Sequence, residues 1–444
     1  MRFEFEADSR RTVLRAIFED GDSSEGQRQE GVGQKIEYSG SDVVFEHPVE
    51  SIHPDLLGLL CLIIFYPFIG RRVTFPTAVS PRLAQAFEPE NFETRLEFTN
   101  VDDSIDEYSG SRMALSFGGG IDSTAVRKMF PEAFIVHEEH LVQDRLVLSR
   151  SADMVRRMGA EKGRVVTTNQ RYVSVPGGWH GWTCAAATSL LLATDFDLGI
   201  ILTGSNLGST LLWNGSAYYD RFAARAHNGI TGNHWQSAFN AVGIPMFSPV
   251  CGASELLTMM LSIEALRAGE VVYCMADRGG ACSRCLKCFR RDVIRAAVDS
   301  DHSPDWAPYD RTQVHAHLEK RPLYFGHVYS YVRDRHPACL PRFVRSRLGG
   351  LPDIRSDWPM RVNARTFEMC AEEWRETVCE RVLRHLDPME PDDVGELQAW
   401  DQNRPKAREP AFAAARRGAA REFRRLRGSR RRPGRILRAP RRPA

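Results

Sequence analysis

Three glycines, Gly118 to Gly120, are followed at once by Asp122, Ser123 and Thr124, and they stand directly behind an apolar run from Met113 to Phe117. Residues of these types in this order suit the capture of an anion. Glycines let backbone approach a phosphate without Cβ interference. A helix opening at Asp122 offers unpaired N–H groups, and the hydroxyls of Ser123 and Thr124 add donors. A carboxylate repels bare phosphate, so Asp122 implies a Mg2+ ion shared with the ligand, or simply a helix cap. The string is not a Walker A loop, because Gly-x-x-x-x-Gly-Lys-Ser/Thr is missing, and it does not fit Gly-x-Gly-x-x-Gly. A glycine turn with a capped helix and no ligand is the plain alternative.

A second constellation lies downstream, where Cys274, Cys282, Cys285 and Cys288 are separated by seven, two and two residues. Cys-x-x-Cys brings two thiolates to one metal, and four thiolates fill a tetrahedral Zn2+ shell with no open position, so the expected role is structural. Arg284, Lys287, Arg290 and Arg291 offset the charge of four sulfurs. An iron–sulfur cluster uses the same ligands and stays open as a competitor. Disulfides fit less well, since the other cysteines are scattered singly and the first residues do not resemble a signal peptide.

The glycine string resembles the Ser-Gly-Gly-x-Asp-Ser loop of the PP-loop ATP pyrophosphatases, with Gly119, Gly120, Asp122 and Ser123 matching and Gly118 in place of the leading serine. Together with the cysteine spacing it is similar to 7-cyano-7-deazaguanine synthase. A second likeness is to the UDP-N-acetylmuramoyl-L-alanyl-L-glutamate epimerases, carried by the Gly-Gly-Gly-x-Asp-Ser form, Asn233-His234, Ser237 and Ser254-Glu255-Leu256; Ile121 departs from the lysine expected there. The resemblance spans about residues 110–295. It implies a HUP-type sheet and an enzyme that adenylates a substrate carboxylate or carbonyl oxygen with ATP, releasing pyrophosphate and then AMP. The acceptor would be a small-molecule carboxylate or amide, ligated or amidated, or a glutamyl centre epimerised. It also implies ATP contacts at Ser116, Gly118, Gly119, Gly120, Asp122, Ser123, Thr124, Thr203 and Gly204. Cys184 and Cys251 keep sulfur transfer open. A nucleotide-binding protein without turnover is the rival class.

These residues need a scaffold, and from 111 the chain alternates strands with helices. Strand candidates are Met113–Phe117, Ala133–His137, Arg164–Thr168, Gly199–Leu202 and Val271–Tyr273; helices fit at Ser123–Met129, Gln143–Met158, Thr183–Thr194 and Ser254–Ala268. The pattern predicts an α/β fold with a doubly wound parallel sheet, whose ligands bind beyond the carboxyl ends of the strands. Thr203-Gly204 ends one such strand. Val136-His137-Glu138-Glu139-His140 ends another, and its histidines suit a solvated strand end as well as a metal. Residues 205–248 lack a clear period and read as a long substrate loop. In it Arg221 and Arg225 suit a substrate carboxylate or phosphate, His227 or His234 suits acid–base work, and Asn233, Trp213, Tyr218, Tyr219, Asp220 and Trp235 are further contacts. Asp122, Ser123 and His234 are the residues expected to act in catalysis.

Around that core, residues 1–105 read as a small α+β domain with strands at Arg2–Glu6 and Thr12–Phe18, a loop over 21–33, a helix from Pro54 to Phe68 and a strand at Arg72–Phe75. Residues 106–300 form the nucleotide domain with its knuckle, and 301–402 a helical C-terminal domain. From 401 onward 16 Lys and Arg face three acids, a net of +13 against +2 for the whole chain, which leaves the body at −11. The stretch 403–444 is too poor in apolar residues for a core and is expected to be disordered. Arginines there suit nucleic acid, but only Phe412 and Phe423 are available for stacking. The apolar stretch Leu57–Ile69 is too short to span a bilayer. With no targeting segment recognised, a cytoplasmic protein without membrane attachment is the expectation, and a homodimer is compatible with the sequence.

Overall fold

The computed structural model describes residues 1–27, 35–88, 96–142, 145–147, 150–177, 184–212, 215–220, 222, 233–274 and 282–403. The basic tail past Asn403 lies outside the described residues. Among these residues, nine strands form one sheet: β1 (Arg2–Ala7), β2 (Thr12–Ile17), β3 (Val43–Phe45), β4 (Arg112–Ser116), β5 (Phe134–Val142), β6 (Arg145–Val147), β7 (Gly163–Thr168), β8 (Leu198–Leu202) and β9 (Met246–Phe247). Their spatial order is β1-β2-β3-β7-β5-β4-β8-β9, with β6 antiparallel on β5. The run from β7 to β9 is parallel, and β1 to β3 extend it in antiparallel fashion. The chain is therefore mixed α/β around a large, mostly parallel sheet.

Both faces of that sheet are covered, which is why β4 is apolar at consecutive positions. The helices that matter for the site are α1 (Pro54–Phe65), α2 (Ile121–Met129), α3 (Arg150–Met158), α4 (Cys184–Phe196), α5 (Glu255–Arg267) and α6 (Leu286–Val298). Alternate strand residues point to opposite faces. Met113, Leu115 and Phe117 join Val126, Val155 and Leu257 of α2, α3 and α5, whereas Ala114 joins Leu190 and Leu191 of α4 and the apolar residues of α1. Wedged between sheet and α1, α4 has no polar face to keep. From β4 the chain steps to β5 and β7 on one side, then to β8 and β9 on the other. The reversal falls between β4 and β8, where a parallel sheet leaves a crevice beyond its carboxyl ends.

Several expected elements shift. Val271–Tyr273 is not a strand: the Val272 N–H donates to Gly119 O at 2.8 Å, and Val271 and Tyr273 are buried in a separate core. The fifth parallel strand is instead Met246–Phe247, inside the stretch that read as a structureless loop. That stretch also holds helices Leu207–Thr210 and Asn233–Ala241. The helix expected from Gln143 begins at Arg150, because Arg145–Val147 folds back on β5. Helix α1 stops at Phe65, with Tyr66–Phe68 continuing as a 3-10 turn at Pro67. Glu25–Gln27 forms a short strand within the expected loop. Beyond 301 the chain is mostly helical, as expected, including α7 (Gly326–Arg335) and α8 (Glu372–Leu383), over a core holding Tyr309, Tyr329 and Trp358. No helix among the described residues is long and apolar enough to cross a membrane.

Candidate functional site

At the reversal point lies a cleft of about 430 Å3. Its floor is the turn after β4 and the first turn of α2, represented by Ser116, Gly118, Gly120, Asp122 and Ser123. Gly119 has φ of +69°, and a Cβ there would collide with Ser151, so glycine is required on both counts. The adjacent wall is the turn after β8, with Thr203, Gly204 and Asn206. At Gly204 a Cβ would stand 2.7 Å from Ser123 N, which explains why a glycine ends this strand. Helix α2 has Gly120 as its N-cap and no side-chain cap, and an uncapped first turn leaves N–H groups without intrahelical partners. Asp122 is held from two sides, accepting from Thr258 Oγ1 of α5 at 2.7 Å and Asn206 Nδ2 at 3.2 Å. Burial pushes its carboxyl above the ordinary value, against those two hydrogen bonds, and nearby Glu255 adds to the rise.

The opposite wall is cationic. Helix α6 presents Lys287, Arg290 and Arg291, and Phe325 closes the mouth. Burial, then the neighbouring Arg291 and Arg290, pull the Lys287 ammonium below its ordinary value. Burial acts likewise on Arg291, whose Nη1 donates to Val272 O at 2.7 Å and to Tyr273 O. Arg290 lies over the Phe325 ring, 4.4 Å from its centroid. Among the described residues none of the three forms an ion pair. Asp122 acts on Arg291 electrostatically without forming an ion pair, and burying cations that lack one is costly. The arrangement suits an anion lying between the glycine turn and α6. Glu255 also lines the cleft; its Oε2 meets His327 Nε2 of α7 at 2.9 Å.

Helix α6 begins at the cysteine cluster. Sulfurs of Cys274 and Cys285 are 3.7 Å apart, those of Cys282 and Cys288 3.6 Å, and all four lie within 4.8 Å of one another. Four thiolates around one Zn2+ at about 2.3 Å stand roughly 3.8 Å apart by tetrahedral geometry. The four cysteines thus could hold a metal ion such as zinc; the separations far exceed the 2.05 Å or so of a disulfide. Cys285 caps α6, its sulfur accepting from Cys288 N at 3.3 Å. The knuckle therefore fixes the helix whose next turn carries the cations.

Residues 234–401 match a family described as "Family of unknown function (DUF6395)". No curated protein and no solved structure matches the chain. The matched stretch contains α5, the cysteines and the cationic wall, while the glycine turn precedes it.

The sequence-derived residues fall into three groups. Ser116, Gly118, Gly120, Asp122, Ser123, Thr203 and Gly204 come together in the cleft. Gly119 and Thr124 sit behind it: Gly119 O is taken by Val272, and Thr124 is buried in α2. Arg221, Arg225, His227 and Trp213 lie outside the described residues, as do the side chains of Asn233 and His234 at the start of helix Asn233–Ala241. Trp235, offered as a substrate contact, is instead core, packed edge-on against Tyr66 and Phe87 at 5.8 Å. Thr258, Glu255 and Phe325 were not assigned to the site, and Lys287, Arg290 and Arg291 were read only as charge balance for the cysteines. The signal was present in the last case: three cations on one helical turn exceed what four metal-bound sulfurs need.

Proposed function

We propose that the chain binds ATP with Mg2+ in this cleft and adenylates an oxygen of a small-molecule carboxylate or amide, releasing pyrophosphate and then AMP. The observation that carries the reading is three cations on α6, none in an ion pair among the described residues, facing a glycine turn at the sheet's reversal point. Backbone at Gly118 and Gly120, with Ser123, would cradle phosphates, and Lys287, Arg290 and Arg291 would neutralise charge that grows as pyrophosphate leaves. Asp122 would hold Mg2+, which would supply further neutralisation of phosphate charge. These residues position and neutralise; none is asked to act as a nucleophile. The likeness to PP-loop ATP pyrophosphatases supports the same reading.

The test is formation of AMP and pyrophosphate from ATP and Mg2+, with and without pools of carboxylates plus an ammonium salt. AMP that rises with a particular acceptor supports the reading. Failure of a non-hydrolysable ATP analogue to bind by calorimetry would refute it. Binding without AMP formation from any pool would leave a nucleotide-binding protein without turnover.

A further inference from the structure

We infer that a metal ion on the four cysteines and an anion in the cleft strengthen each other's binding, with Val272 as the positioning residue between them. The inference rests on the nucleotide reading above.

The glycine turn and the cationic helix are joined by one short segment. Val272 N donates to Gly119 O at 2.8 Å, and Val272 Cγ2 stands 3.3 Å from where a Cβ on Gly119 would be. Two residues on is Cys274, a knuckle ligand. From the other side, Cys285 caps α6 and Cys288 lies in its first turn. Arg291, one turn further, returns to the carbonyls of Val272 and Tyr273. Next to it Asp292 accepts from Tyr273 Oη at 2.7 Å and from Tyr309 Oη. A metal ion would close this loop by tying Cys274 to Cys288. Without an ion the four cysteines gain little from converging: as thiols they hydrogen-bond only weakly, and as thiolates they repel. Releasing the ion therefore loosens both the support beneath Gly119 and the helix that carries Lys287, Arg290 and Arg291. Linkage then demands the converse by the same factor.

The experiment uses the full chain loaded with zinc, and Mg2+ with a non-hydrolysable ATP analogue as probe. Zinc affinity is read by competition with a chromogenic chelator, with and without the analogue; analogue affinity is read by calorimetry on loaded and stripped protein. The expected result is about a tenfold gain in each direction, a usual size for such coupling. Val272→Pro keeps all four cysteines and removes the N–H that reaches Gly119, so it should bind zinc yet lose the gain. An analogue that leaves the wild-type zinc affinity unchanged overturns the inference while the nucleotide reading stands. So does a Val272→Pro chain with undiminished coupling, and neither arm needs the stripped protein to stay folded. If the zinc-loaded wild type does not bind the analogue, the nucleotide reading falls first and the inference with it.

Discussion

Two clusters of polar residues lie toward the carboxyl ends of strands in the same sheet, and they are built on opposite plans. In the carboxyl half of β5, Glu138 accepts from Gln170 Nε2 and from Thr188 Oγ1 at 3.2 Å, and meets His140 at 2.9 Å. Glu139 is paired with Arg156, and His137 Nδ1 lies 2.6 Å from Phe117 O. Each charge there has a protein partner. Beyond β4 and β8, Lys287, Arg290 and Arg291 have no described carboxylate within ion-pair reach, and the leading N–H groups of α2 have no side-chain cap. Polar residues at one strand end are paired off within the protein, whereas the cations at the other make no ion pair among the described residues. That contrast also answers why the histidines of the β5 end need no metal.

The sharpest way to break the contrast is to remove what holds the open side together. Cys285→Ser loses one of four sulfurs and the cap of α6 at once, so zinc content should fall to near zero. Stability should drop by at least about 3 kcal/mol, because structural metal binding is folding free energy. Elemental analysis and thermal unfolding check both; full zinc stoichiometry in the variant would reject the knuckle. Next come the cations. Lys287→Met or Arg290→Met should weaken an ATP analogue by roughly tenfold or more, as lost charge-assisted contacts do. Lys287→Met should also leave the melting temperature unchanged or higher, since a partly buried charge without an ion pair among the described residues is removed. A variant that loses stability but keeps affinity would reverse the assignment.

Glu138→Gln probes the closed side. Breaking a buried, hydrogen-bonded carboxylate network should cost about 1–3 kcal/mol, with the analogue affinity of the open cleft unaltered. A large loss of affinity would mean that the two strand ends act together.

How much of this was legible beforehand follows the same division. The parallel strands from Met113 to Leu202 and the buried α4 are long apolar segments whose pattern survives any tertiary context, and they were found, although the strand expected at Ala133–His137 runs on through its polar residues to Val142. Met246–Phe247 was missed because two residues carry no period, and Val271–Tyr273 was mistaken because an apolar triplet serves equally as strand or as buried coil. The residues of the glycine turn were readable, since Gly119 and Gly204 mark places where an added Cβ would collide. Thr258, Glu255 and Phe325 were not, because they reach the cleft from segments far along the chain and nothing local distinguishes them from ordinary helix or turn residues. Trp235 shows the converse error: an aromatic beside a histidine invites a ligand, yet its neighbours Tyr66 and Phe87 claim it for the core.

The finest comparison is between two buried aspartates, one on each wall of the open cleft's supports, whose titrations run in opposite directions. Burial holds the Asp122 carboxyl above the ordinary value of 3.8 even though Thr258 and Asn206 donate to it. Its folded state therefore binds a proton more tightly than the unfolded chain, and stability falls as pH rises from that ordinary value through the folded one. Asp292 is also buried, but hydrogen bonds from His302, Tyr309 and Tyr273 outweigh burial and hold it below 3.8. Its contribution is present above the ordinary value and is lost as pH falls through the folded one. Asn at 122 should therefore gain on wild type in melting temperature as pH is raised from about 4 to 7, since it keeps an oxygen for Thr258 and carries no charge. Asp292→Asn should lose against wild type as pH is raised from about 2 to 4, with the gap constant above that range and closing in stronger acid. Melting curves for both variants from about pH 2 to 7 decide the matter. Parallel trends would show that the two aspartates share one environment, and the division between a cleft that lacks counter-charge and supports that are fully paired would not hold.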